Sequence, residues 1–433
     1  MINKKRVYTK SDLAVWFLTY FWLISFIVLS KNVSGFTVAA VTTALLLVLT
    51  DFKLNIGAFH KHVSAFYIIC LLSVFWAMNY HLVIYRSTTI LEVFICMCVF
   101  YDYYVRLDDY KILLKIIVYS GYTVVVYSYV FYGWDTMIAM AREGVRLGNE
   151  FANVNSICMI AAMSLIIDVY LSLFGKFRWS LLFAIPILLL ISFTQSRKAM
   201  FMVFFAPMMM YLYKNSHNIT KDLRPMLKIM GGLIIVGFIV SLFSDSNLFL
   251  GITNRIEAMF RGLQGSEDTD WSTYWRMQMI EVGMRYFKES PMLGVGIGNS
   301  LVIMSKEFGN STYFHNNYVE LLAGVGVIGT AIYYSIHLSL LRQLFYYRKY
   351  NSMSILFFLM ICTSLFTDYG AVSYYSKSTY FYFMTYFAFV QQCKIKYGPI
   401  GRPKPQRNKA KGQSSGNVSS QVGQTVANVS VKN

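Results

Sequence analysis

The sequence predicts an all-α, polytopic membrane protein, and three observations carry that prediction. Hydrophobic residues make up 56% of the 433 positions and charged residues only 14%, where an ordinary soluble domain has roughly a quarter charged. The apolar residues fall in blocks of about 17–25, the length a helix needs to cross about 30 Å of hydrocarbon. Basic residues gather at alternate ends of these blocks, the bias that keeps a loop in the cytoplasm.

The blocks divide the chain into about twelve spans, near residues 12–30, 33–50, 63–79, 84–101, 112–133, 152–174, 179–195, 199–213, 229–245, 317–341, 352–367 and 378–392. With the N-terminus inside, the cytoplasmic loops hold Lys53 and Lys61, Arg106 and Lys111, Lys176 and Arg178, Lys214 to Lys228, and Arg342 to Lys349. An even count returns the C-terminus to the same side. The expected organisation is a cytoplasmic N-terminus over 1–11, a membrane domain over 12–392 with an outside loop at about 246–316, and a basic cytoplasmic tail over 393–433. That tail has no acidic residue and no apolar period, so it reads as disordered and directed at lipid headgroups. The first apolar run, from about Leu13, is expected to remain as a span.

A net charge of +18 raises the question of nucleic acid. The charge sits beside membrane spans, where topology accounts for it, so no nucleic-acid partner is expected. Five of the six cysteines (Cys70, Cys96, Cys98, Cys158 and Cys362) lie inside apolar runs, and Cys393 begins the tail. Neither a disulfide framework nor a metal-ligand spacing results.

Residues that break the topological bias are more informative. Arg142 and Arg146 follow the fifth span, and Arg197 and Lys198 lie in TQSRKAM between the seventh and eighth. Arg255, Arg261, Arg276, Arg285, Lys288 and Lys306 lie in the long outside loop. Cations kept outside point to an anionic ligand; the competing reading is interfacial anchoring. Arg86, near the outer end of the fourth span, is left without a role. Within the long loop, Trp271, Trp275, Met279 and Val282 recur at helical spacing, which predicts an amphipathic helix over Trp271–Lys288. Glu289-Ser290-Pro291 is expected to stop it.

Gly294, Gly296 and Gly298 have no βαβ context, which excludes a dinucleotide loop. They predict a tight turn with close backbone approach, to a substrate among other neighbours. Gly324, Gly326 and Gly329 on the following span predict close packing of a neighbouring helix. Asp268-Thr269-Asp270 resembles a metal-holding DxD string, but it lies on the outer side, away from nucleotide sugars, and no metal or other cofactor is expected. His315 stands at the entrance to a long apolar helix beside Asn316 and Asn317, with Glu320 four residues beyond Asn316. A neutral imidazole there can take a proton from a hydroxyl nucleophile; the alternative is a capping or anchoring histidine.

Taken in order, these motifs resemble a known family. Arg146-Leu147-Gly148 precedes Asn153-Val154-Asn155, Ser196-Arg197 closes the seventh span, and Arg276 precedes Pro291-Met292-Leu293-Gly294-Val295-Gly296. His315-Asn316-Asn317-Tyr318-Val319-Glu320 and Gly324-Val325-Gly326 follow. The set resembles the O-antigen ligase and polymerase superfamily of bacterial surface-polysaccharide enzymes. The resemblance implies a metal-independent, multi-pass glycosyltransferase of the bacterial cytoplasmic membrane, with both termini cytoplasmic and the active site outside. Its donor would be an oligosaccharide on undecaprenyl pyrophosphate, its surroundings membrane lipids, and its companion proteins a flippase and a chain-length regulator.

The same resemblance implies that Arg197 and Arg276 hold the pyrophosphate, and that His315 positions or deprotonates the acceptor hydroxyl. Arg146, Asn155, Gly294, Gly296, Asn316, Asn317 and Glu320 would bind substrate. Two outcomes stay open: polymerisation of lipid-linked repeat units into O-antigen, capsule or exopolysaccharide, or ligation of finished polysaccharide to the lipid A core of lipopolysaccharide or to another acceptor. A transporter is the rival from another class. It would show two similar halves and ionisable residues at mid-depth.

Overall fold

The computed structural model describes residues 8–28, 34–107 apart from 55, 110–142, 147, 153–175, 181–219 apart from 183, and 271–402. The described residues contain helices and no strand. In chain order these are α1 (Lys10–Val28), α2 (Gly35–Leu49), α3 (Ala58–Leu72, continued by a 3₁₀ turn Ser73–Phe75), α4 (Tyr80–Arg106), α5 (Tyr110–Tyr132), α6 (Trp134–Arg142), α7 (Val154–Phe174), α8 (Ala184–Thr194) and α9 (Arg197–Ile219). After residue 270 come α10 (Trp271–Glu289), α11 (Ser300–Phe308), α12 (Asn317–Tyr347), α13 (Met353–Asp368) and α14 (Lys377–Tyr397).

By length and composition, α3 with its 3₁₀ turn, α4, α5, α7 and α12 are each able to cross a membrane, and α2, α8 and α13 are shorter apolar helices. The spans expected from the sequence coincide with α1–α5, α7–α9 and α12–α14. The one expected at 229–245 lies outside the described residues, as do residues 1–7, most of the tail, Arg146, Arg255, Arg261 and the Asp268–Asp270 string.

These helices have no strongly polar face because lipid and neighbouring helices surround them on all sides. Between helices in lipid, close contact and hydrogen bonds replace the hydrophobic drive. Gly121 on α5 illustrates this: a Cβ there would lie 1.9 Å from the Ser164 hydroxyl of α7. That hydroxyl donates to the Ile117 carbonyl at 3.0 Å. The Thr19 and Tyr104 hydroxyls bond at 2.7 Å, and Trp22 stacks on Phe381 with centroids 5.6 Å apart. The bundle core runs through α1–α5, α7–α9 and α12–α14.

Hydrogen bonds sort the connections into two ends, as alternating spans require. At one end Lys53 N donates to Asp102 at 3.3 Å, the Gln392 amide donates to carbonyls at 104–107, and the Tyr213 hydroxyl donates to the Arg348 carbonyl. At the other end residues 73–79, 195–198, 291–299, 313–316 and 369–376 come together.

A second, smaller apolar cluster covers that other end. Val282 and Tyr286 of α10, Ile303 and Met304 of α11, and Phe314, Val319 and Ala323 form it. The amphipathic helix predicted from Trp271 is α10, and its apolar face meets α11 and α12. Trp275 packs edge-on against Phe308 with centroids 5.1 Å apart. A Cβ at Gly283 would come within 2.4 Å of Val319.

The glycines of α12 do something other than the helix packing expected of them. Gly326 has φ 64° and ψ −169°, which interrupts the helix. In a continuous helix Val327 and Ile328 would donate to Ala323 and Gly324. Here Val327 donates to Pro291 O at 2.9 Å and Ile328 to Met292 O at 3.4 Å. The released carbonyls of Ala323 and Gly324 accept from Val295 and Gly296, each at 2.9 Å. The 291–296 turn thus replaces two helical bonds from both sides, which a break at membrane depth requires. Gly294 can lie there because a Cβ would meet Ala323 O at 2.5 Å.

Candidate functional site

His315 occupies the residue before the cap of α12 and carries φ +55°, a left-handed conformation costing an L residue roughly 1–2 kcal/mol. Bonds on both sides hold it there. Phe314 N donates to Glu320 Oε2 at 3.0 Å, and the Ser300 hydroxyl of α11 donates to Glu320 Oε1. The Asn316 side chain accepts from Tyr318 N at 3.0 Å and Val319 N at 3.2 Å, closing the helix N-terminus. A strained residue fixed this firmly is the pattern seen at functional sites.

The His315 ring is half-buried and lies against Tyr313, with centroids 4.2 Å apart. Burial lowers its pKa first; Arg276 of α10 and Lys198 of α9 lower it further, to about 4. The imidazole is therefore neutral at pH 7, a base within electrostatic reach of two cations. Burial also raises the Tyr313 pKa, and the nearby Arg276 partly opposes the rise. Lys198 directs its ammonium to the Gly370 carbonyl and faces Asp368.

Asp368 ends α13 and is 1% exposed. Ser373 Oγ donates to it at 2.6 Å, and the Tyr334 hydroxyl and Asn317 Nδ2 each donate at 3.1 Å. Asn317 completes the junction by accepting from Ser373 N at 2.9 Å and Tyr374 N at 3.0 Å. Asn317 and Glu320 therefore direct their polar atoms into the protein. Asn316 caps α12, and the turn containing Gly294 and Gly296 docks on the broken helix.

Of the residues singled out from the sequence, the structure brings Arg276 to His315. Arg197 is half-buried in the first turn of α9, next to Lys198, whose charge also acts on His315. Asn155 lies in the first turn of α7, its backbone amide held by the Asn153 side chain at 2.9 Å. Arg285, one of the loop cations expected to await an anion, is already paired with Glu307. Lys198 and Asp368 were missed as site residues. The signal for Lys198 was its place beside Arg197; Asp368, a lone acid closing an apolar span, was readable as a functional intramembrane charge. An apolar groove between α1 and α5, lined by Tyr20, Tyr119 and Thr123 among others, shares no residue with this cluster.

Residues 156–334 match the family model described as O-Antigen ligase. The match bears out the resemblance to the O-antigen ligase and polymerase superfamily. It runs from α7 into α12 and includes Arg197, Lys198, Arg276, His315 and Glu320; Arg86 and Asp368 lie outside it. No curated protein matches the chain.

Proposed function

We propose that this protein is a metal-independent glycosyltransferase that polymerises undecaprenyl-pyrophosphate-linked repeat units on the outer face of the bacterial cytoplasmic membrane. The arrangement that carries the reading is a neutral His315 with strained backbone, within electrostatic reach of Lys198 and Arg276, at one end of an apolar helix bundle. Twelve spans with both termini cytoplasmic would put that end outside. The side assignment follows the loop charges, and the hydrogen-bonded sorting of the loops into two ends agrees with it.

In this reading Arg276, Lys198 and Arg197 receive the donor's diphosphate. A guanidinium suits the task because its fork pairs two phosphate oxygens at once. His315 accepts the proton of the acceptor hydroxyl as that oxygen bonds to the anomeric carbon. The bond from that carbon to the diphosphate oxygen breaks, and the cations stabilise the departing charge. Diphosphate binding offsets the two cations beside His315, so the imidazole becomes a stronger base once the donor is in place.

Ligation is the second reading, and the description of the matching family model favours it. A transporter is disfavoured because Lys198, Arg276 and His315 gather at an end of the bundle, where a transporter would place its ionisable groups at mid-depth. The test uses purified protein with lipid-linked repeat units, with and without lipid A core, beside His315→Ala. A His315-dependent ladder from repeat units alone supports polymerisation. Product only with lipid A core supports ligation, and no product in either arm overturns both.

A further inference from the structure

Arg86 on α4 is a cation to which nothing above gives a role. Its guanidinium carbon lies 4.0 Å from the Tyr375 ring centre and 5.6 Å from that of Tyr85. Its stem crosses Gly298, where a Cβ would stand 2.6 Å from Arg86 Cγ. The missing side chain at Gly298 is what gives the arginine room. The group is half-buried, and among the described residues it donates no hydrogen bond; its Nε is fully enclosed without a partner.

Glu320 does not use these donors. Glu320 lies within electrostatic reach of Arg86, but its two oxygens accept from Ser300 and Phe314 N. A guanidinium fixed on an aromatic face, with no hydrogen bond from its terminal N–H groups among the described residues, is built for a planar or tetrahedral oxyanion. Stacking fixes the cation without occupying the donor edge.

Resting on the reading of this end as a saccharide site, we propose that Arg86, laid on Tyr375 over Gly298, forms a second oxyanion-binding site distinct from the Lys198 and Arg276 pair. Its ligand is a carboxylate or phosphate. Tyr375 lies within electrostatic reach of Tyr313, which packs on His315, so Arg86 stands at the same end of the bundle as His315. Tyr85, the other ring beside Arg86, is 62% exposed. Aromatic faces with polar edges suit sugar rings, and the arrangement fits an acidic saccharide resting against Tyr85 with its anionic group at Arg86. The same oxyanion chemistry is available from an anionic lipid headgroup.

The experiment uses full-length protein in phosphatidylcholine nanodiscs, titrated with trigalacturonate and with its neutral methyl ester. The wild type should bind the acid at least about tenfold more tightly, the effect of hydrogen bonds to a charged group. Arg86→Gln should remove that preference, Arg86→Lys should restore only part of it, and Tyr375→Leu should weaken binding with the arginine still present. In nanodiscs containing phosphatidylglycerol, native mass spectrometry reads lipid retention. Arg86-dependent retention of that lipid, without Arg86-dependent binding of trigalacturonate, supports the site and assigns the anion to lipid. If neither ligand depends on Arg86 or Tyr375 in variants that stay monodisperse, the proposal is overturned and Arg86 is a counter-charge for Glu320. Methylenediphosphonate binding, compared between wild type and Arg276→Gln, separately tests the diphosphate reading, so each can fail alone.

Discussion

The backbone amide of Val327 donates to the carbonyl of Pro291 at 2.9 Å, although both neighbouring turns of α12 are helical. The bond exists because Gly326 turns the chain out of the helix with φ 64°. It ties the turn after α10 to the helix after His315, as one part of an exchange of backbone partners.

Gly326→Ala should therefore destabilise the protein by roughly 3 kcal/mol or more, combining left-handed strain with a clash. The new Cβ would stand 2.2 Å from Met292 O. Gly309 is the control: its φ is +67° but nothing lies within 4 Å, so Gly309→Ala should cost only about 1 kcal/mol. Thermal unfolding in one detergent compares the two, and equal losses would rule out the docking account.

His315 gives a pH dependence of defined sign. Its pKa is depressed in the folded state from 6.5 to about 4, so between those values the unfolded chain binds the proton more readily. The stability it contributes is complete above about 6.5 and declines as pH falls toward 4. As a general base it should give kcat/KM an acid limb nearer 4 than 6.5. Arg276→Gln removes a repelling cation and should move that limb to higher pH. A pH–rate profile checks this, and an unmoved limb would separate Arg276 from His315 chemistry.

Asn316 and Asn317 are adjacent and should behave differently. Asn316→Ala removes a helix cap, a loss of about 1 kcal/mol. Asn317→Ala leaves Asp368 and the amides of Ser373 and Tyr374 short of partners inside the protein, a loss of roughly 2–5 kcal/mol. Denaturation of purified variants gives the order. Should Asn317→Ala keep full stability and lose only substrate affinity, Asn317 belongs to a binding surface instead.

Arg197→Lys keeps the charge and removes the bidentate fork. Transfer should fall at least about tenfold if Arg197 grips diphosphate. Free exchange with lysine, measured by product formation at saturating donor, would reduce Arg197 to an interfacial anchor.

The helices were legible because a span is a composition: α4, α5 and α7 need only a long apolar block. His315 was legible because a titratable ring at the edge of such a block is costly. What stayed hidden depends on distant segments meeting. Nothing local to Lys198 says that it faces Gly370 and His315, and nothing local to Gly326 says that a turn thirty-odd residues earlier will accept the amides it frees. Asn316, Asn317 and Glu320 carry the same difficulty in reverse. Their polarity invites a substrate, while the fold supplies partners for each.

The interrupted helix α12 also constrains how the protein is put together. In hydrocarbon, the carbonyls of Ala323 and Gly324 and the amides of Val327 and Ile328 each need a partner, and the 291–296 turn supplies all four. Without that turn docked, the favourable state of the segment is an unbroken helix. The kink therefore belongs to neither segment alone: it is a joint that forms only where the earlier turn packs onto α12.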